Sequence, residues 1–226
     1  VQTCALPIYI GTRKLERLRD SILVSMPMER KATRHHSYLK TGYDIDLYKQ
    51  VSNKKWNVFE NRPIESVSEG CYLLRKIVNS DPRRIETFLR IFRKKKKCIV
   101  FYNFDYELES LRKACHDNEI SYSEWNGHYH QKIPETDEWA YLVQYTAGSE
   151  GWNCIDTDTI IFFSQSYSYK TLEQSCGRID RLNTPYTDLY YYHILTDSGI
   201  DSTIRQCIKR KKDFNEKAFF SSISEK

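Results

Sequence analysis

From Ser80 onward, short apolar runs alternate with amphipathic stretches of helix length, and this alternation constrains the fold more than any other feature of the chain. The runs are Cys98–Tyr102, Ala140–Tyr145, Thr159–Phe163 and Leu189–Leu195, with a weaker one at Ile120–Ser123. Strands buried on both faces read as near-continuous apolar segments, and strands separated by helices are joined in parallel. The intervening stretches have helical spacing. Asp81 and Pro82 form an N-cap and first-turn pair. Ile85, Phe88, Leu89 and Phe92 then follow at i, i+3, i+4 and i+7. Asp105 is expected to cap a second helix carrying Leu108, Leu111 and Cys115, and further helices are expected near 168–182 and 201–219. The expectation is an α/β domain with a parallel sheet covered by helices on both faces.

Upstream of this region the pattern is weaker. Val67, Cys71, Leu74 and Val78 predict a helix over 66–79. Residues 9–65 carry mixed charge, with a basic stretch at Arg13–Arg19, a strand ending near Tyr43 and a short helix from Asp44. They are expected to form either an irregular or helical linking arm or the start of the domain that occupies residues 66–226. The first eight residues, VQTCALPI, match one translated frame of a widely used DNA-sequencing adapter. Such a segment is excluded from fold reasoning, and the native protein is expected to begin upstream of Tyr9.

Composition excludes several classes. A 40% hydrophobic and 14% aromatic content supports a real core, and a net charge of +5 permits a nucleic-acid partner without demanding one. Seven dispersed cysteines with no C-x-x-C pair suit reduced thiols and a cytoplasmic location. No apolar window reaches membrane-span length. His35-His36 and Gly127-His128-Tyr129-His130 lack matching ligands at metal spacing, so no metal site is assigned. The basic runs Arg93–Lys97 and Lys209–Lys212 read as solvated helix ends, and Tyr190-Tyr191-Tyr192 as part of a core strand.

Candidate chemistry lies between Thr146 and Arg181. Thr146-Ala147-Gly148-Ser149-Glu150-Gly151-Trp152-Asn153 follows a strand directly, where open α/β sheets bind ligands. Its glycines suit close backbone approach to phosphate. On a helix continuing through Arg181, Gln174, Arg178 and Arg181 fall within roughly 60° of one another at about 100° per residue. An amide and two guanidiniums on one face can recognise phosphate. Gly177 costs helix stability, which the approach of a backbone or ligand would explain.

Together, TAGSEGWN and QSCGRIDR resemble motifs V and VI of superfamily 2 helicases and translocases, the latter in the form Q-x-x-G-R-x-x-R. The run AGSEGWNCIDTDTIIFF is most similar to the Swi/Snf-like branch and to phage DEAD/DEAH-type helicases, which suggests a phage or bacterial source. Ile99–Phe104 sits where motif IV belongs, and Trp125–His128 where motif IVa belongs. The resemblance covers about residues 66–220 and implies the second of two RecA-like lobes. It implies that Arg178 and Arg181 are catalytic arginine fingers, and that Gln174, Gly151, Asn153 and Gly177 lie at the nucleotide. Asn103, Phe104, Gly127, Thr146 and Gly148 would hold a nucleic-acid backbone, expected to be DNA, without reading sequence. Asp180 departs from the usual pattern and could hold one arginine back when ATP is absent.

The sequence has no G-x-x-x-x-G-K-[ST] and no D-E-x-[DHQ] box. ATP and Mg²⁺ would therefore be held mainly by a first lobe, and the 226 residues alone are expected not to hydrolyse ATP. The competing expectation is a stand-alone nucleic-acid-binding or partner-docking module, which leaves the shared face of Gln174, Arg178 and Arg181 without a purpose.

Overall fold

The apolar runs become the strands of one sheet. In the computed structural model, which describes Arg17 and residues 32–148 and 152–224, six parallel strands lie in the order β1-β8-β7-β4-β6-β5. They are β1 (Thr33–Lys40), β4 (Lys97–Tyr102), β5 (Ser121–Trp125), β6 (Trp139–Gln144), β7 (Thr159–Phe162) and β8 (Asp188–Leu195). The short antiparallel pair β2 (Trp56–Asn57) and β3 (Arg62–Pro63) lies apart from them. The adapter-like octapeptide and, apart from Arg17, the Arg13–Arg19 stretch lie outside the described residues.

Alternation within β4 shows how both faces are used. Ile99 and Phe101 enter one core with Val143, Phe162 and Tyr191. Cys98, Val100 and Tyr102 enter the other, with Leu142 and Ile161. All five are inaccessible to solvent, and each fully buried large side chain contributes about 1.5–3 kcal/mol.

The second face is covered by α3 (Pro82–Lys95) and α4 (Asp105–Asp117), through Phe88, Phe92, Leu108 and Leu111. Asp81 caps α3 as expected, accepting from the Arg83 amide. The first face is covered in part by α5 (Tyr169–Cys176), through Leu172 and Cys176. A third cluster joins α1 (Ile45–Lys54), α2 (Val67–Asn79), α6 (Gly199–Lys209) and α7 (Glu216–Ser224). Asp44 caps α1 and Ser66 caps α2, each through its side-chain oxygen.

Three expectations need correction. The strand Thr33–Lys40, placed by sequence in an arm, is the edge strand β1, paired along its whole length with β8. The helix expected over 201–219 is two helices. Lys211 adopts a left-handed backbone (φ 56°), the Phe214 amide donates to the Tyr167 carbonyl at 2.8 Å, and Asn215 caps α7 by accepting from the Ala218 amide. The turn buries Phe214 beside Tyr167 and Phe219, which a straight helix would not do.

The helix expected over 168–182 stops at Cys176. The Tyr191 hydroxyl donates to the Cys176 carbonyl at 3.1 Å, and the Cys154 amide donates to the Arg178 carbonyl at 3.0 Å. Both carbonyls are thus taken by partners outside the helix, and Ile179 turns into the core. Gln174, Arg178 and Arg181 therefore do not share a helical face.

Among the described residues, no helix is long and apolar enough to cross a membrane.

Candidate functional site

All six strands point the same way, so the loops after β4, β5, β6 and β7 gather at one edge. Four of the five residues expected at nucleic acid sit on loops linked there by hydrogen bonds. The Gln144 amide donates to the Asn103 carbonyl at 3.2 Å, and the Gly148 amide donates to the Gln144 carbonyl at 2.7 Å. Trp125 Nε1 donates to the Ala147 carbonyl at 3.2 Å, tying the 146–148 loop to the one carrying Gly127. That second loop is built by Asn126, whose Oδ1 accepts from the His128 and Tyr129 amides. Arg112 holds it from below through a two-pronged ion pair with Glu124 at 2.6 Å per bond.

The individual side chains differ in availability. Thr146 and Gly127 are exposed. Asn103 spends its side-chain amide on Ser164 Oγ (2.7 Å) and the Gln165 carbonyl (3.0 Å), bracing β4 against β7. Gly148 is buried, and a Cβ there would come within 2.9 Å of both Phe101 and Val143. Its missing side chain serves packing, not the close phosphate approach expected from sequence. Phe104 turns toward α2, edge-on to Tyr72 at 5.4 Å and stacked on Tyr106.

A second group forms where the chain descends from the 146–148 loop toward β7. Arg178 is buried, its Nη1 donating to the Trp152 carbonyl at 2.9 Å and its guanidinium 5.6 Å from the indole centre. Trp152 is itself wedged against Phe101 and Tyr141. Burial first, and the neighbouring positive charge of Arg181 second, push the Arg178 guanidinium below its ordinary range. A guanidinium stays charged under such a shift. Neither arginine forms an ion pair among the described residues, and both keep a buried Nε without a partner. Asn153 and Gln174 are exposed, and Gly151 lies outside the described residues. Gly177 caps α5 in an ordinary right-handed backbone (φ −66°), with room for a Cβ.

Asp180, expected as a restraint on an arginine finger, pairs with Arg34 of β1 instead, at 2.6 Å. Sequence reading missed Arg34 and Trp152, because their partners lie far along the chain or contribute only a backbone carbonyl.

Residues 83–183 match the family described as the helicase conserved C-terminal domain. Those residues are thus similar to a helicase C-terminal domain. That match spans α3 through the arginine pair. No curated protein matches the chain at a significant level. Among solved structures, the C-terminal part of the Fun30 ATPase domain aligns with a TM-score of 0.67 at 11% identity, covering 86% of this chain and 99% of that one. The fold is therefore RecA-like, as in that C-terminal part. Among the described residues, no group of three His, Cys, Asp or Glu side chains could hold a metal ion.

Proposed function

We propose that the chain is the second motor lobe of an ATP-dependent nucleic-acid helicase or translocase. The observation that carries this reading is the pair Arg178 and Arg181, two neighbouring cations with no acidic partner among the described residues. Uncompensated like charges oppose folding, so their juxtaposition favours an anion between or beside them. The triphosphate of ATP, presented by a first lobe, is that anion in this reading, with Arg178 and Arg181 as the arginine fingers. Such groups can raise phosphoryl transfer by about 10³–10⁵-fold. Arg178 is held in place by the Trp152 carbonyl, and its buried Nε has no partner among the described residues. In this reading Asn153 and Gln174 flank the nucleotide as exposed polar groups, with Gly177 beside them and Gly151 assigned to the same site from its motif. Mg²⁺ would arrive with the nucleotide and be held by the first lobe.

The linked edge loops would carry the nucleic-acid strand, taken here as DNA. Thr146 and Gly127 meet the backbone, while Asn103, Phe104 and Gly148 shape the loops that present them.

The test is ATP hydrolysis and DNA binding, measured on the purified 226-residue chain and on the same chain joined to its native upstream coding sequence. The chain alone should bind DNA without hydrolysing ATP. The joined protein should hydrolyse ATP, and lose at least about 10³ in rate with Arg178→Ala or Arg181→Ala while retaining DNA binding. Loss of DNA binding with ATPase intact would favour the stand-alone binding module instead.

A further inference from the structure

Arg34 stands near the start of the edge strand β1, its backbone fixed opposite Leu189 in the ladder with β8. Its side chain reaches across the break that ends α5. On α5 itself, Nη1 meets Glu173 at 3.4 Å. Beyond the break, Nε and Nη2 both donate to Asp180 Oδ2, at 2.7 and 2.6 Å. The guanidinium also lies 6.0 Å from the ring centre of Tyr191 on β8, and the Tyr191 hydroxyl takes the Cys176 carbonyl at 3.1 Å. The two edge strands thus grip the turn after α5 together. The Asp180 side chain is 12% exposed and that of Glu173 45%, so the shorter, better shielded pair with Asp180 is the stronger contact.

The pair also settles where a negative charge goes. Asp180 is the acidic residue nearest in sequence to both arginines of the site, two positions from Arg178 and one from Arg181. It is the natural counter-ion for either. Yet neither arginine has an acidic partner among the described residues, and the charge that acts on Arg178 is the positive one of Arg181. A largely buried carboxylate that loses its partner is costly, and the cost falls when another cation reaches it. With Arg34 removed, the cations at hand are Arg178 and Arg181.

We propose that Arg34 is a positioning residue for the arginine pair: by occupying Asp180 it keeps Arg178 and Arg181 unneutralised and open to an incoming anion. Arg34 meets no reacting group and acts only through Asp180. Its consequence for rate rests on the reading of that pair as phosphate-facing; the exchange of ionic partners does not. A mechanical strap would need the bond between β1 and the turn to survive. The role proposed here needs only that Asp180 be kept from the arginines, and a second substitution separates the two.

The experiment compares Arg34→Ala with the double variant Arg34→Ala, Asp180→Asn by two readouts. The first is the arginine Nε–H NMR signals of the 226-residue chain, assigned with Arg178→Lys and Arg181→Lys. In Arg34→Ala, the Arg178 or Arg181 signal should shift and exchange more slowly with water, as for a guanidinium held by a carboxylate. In the double variant it should return to its wild-type position. The second readout is steady-state ATPase of the chain joined to its native upstream coding sequence. Arg34→Ala should lower kcat about ten-fold with little change in KM, because the fingers act in the transition state. The double variant should recover to within about three-fold of wild type. Arg34→Gln, alone and with Asp180→Asn, keeps a neutral donor on β1 and should give the same order. Unmoved arginine signals in Arg34→Ala would overturn the proposal. So would a double variant as slow as the single one, the result a mechanical strap predicts. A joined wild-type protein that hydrolyses no ATP would sink the motor reading instead, and the NMR comparison would still decide whether Asp180 turns to the arginines.

Discussion

Arg178 holds the carbonyl of Trp152 at 2.9 Å across 26 residues of chain, so the group assigned to phosphate also fastens the strand-to-loop descent that precedes β7. Arg181 has no comparable anchor. The two arginines should therefore separate when stability and rate are both measured. Arg178→Ala is expected to cost about 1–2 kcal/mol in urea unfolding, through loss of a charged hydrogen bond. Arg181→Ala should stay within about 0.5 kcal/mol of wild type. Both should abolish ATPase in the two-lobed protein.

Arg84, like Arg75, is taken wholly out of water. It donates to the carbonyls of Phe163 (2.5 Å) and Ile194 (2.9 Å) at the ends of β7 and β8, and meets Asp201 at 3.4 Å. Arg84→Met keeps most of the volume but strands Asp201 and both carbonyls. A loss of about 3–5 kcal/mol is expected, read as a lower denaturant midpoint. Asp201→Asn, which leaves the carbonyl contacts in place, should cost less.

Burial, reinforced by the charges of His36 and Arg205, holds His193 well below its ordinary range, at about 3. His36 is lowered too, by burial and then by Arg34, with Glu173 opposing. The unfolded chain takes up a proton at His193 near pH 6.5, while the folded chain resists until about pH 3. Stability from this group is complete above pH 6.5 and falls as pH drops through that window, at no more than about 1.4 kcal/mol per pH unit. Melting temperatures from pH 7.5 to 4.5 should converge toward those of a His193→Phe variant, whose ring can stack on Tyr38 and Phe162 without titrating.

Three glycines offer a test of how the loops are built. A Cβ at Gly148 would collide with Phe101 and Val143, whereas Gly177 has only ordinary contacts and Gly127 open space. Gly148→Ala should cost about 1–3 kcal/mol by overpacking. Gly177→Ala and Gly127→Ala should leave the melting temperature nearly unchanged. Equal losses at all three would contradict the packing role assigned to Gly148.

What sequence revealed and what it concealed follow from the range of the interactions. Cys98–Tyr102 announced a doubly covered strand because every one of its residues is buried, and Asp44 and Asp81 announced helix starts because caps act within a turn. The end of α5 was hidden, since it depends on Tyr191 and Cys154 drawing carbonyls out of the helix. The break after Lys209 was hidden for the same reason: Phe214 finds its place against Tyr167, far back in the chain. Arg178 and Arg181 were visible from their motif, and the structure supplies a different geometry for them, in a turn and not on a helix. Arg34 and the His36–His193 contact could not be read at all: Arg34 finds Glu173 and Asp180 on and just after α5, and His36 finds His193 on the partner strand of β1.

That partner strand has a consequence for how the protein is made. Among the described residues β1 pairs with no strand other than β8, and His35 finds Asp188 across 153 residues. During synthesis, the first strand of the sheet must wait until the last has left the ribosome before its backbone groups are paired. Its sequence, TRHHSYLK, is polar and largely exposed even when docked, so the waiting segment presents little that would recruit a wrong neighbour. The central strands can assemble vectorially, and the lobe is then sealed in a single late step.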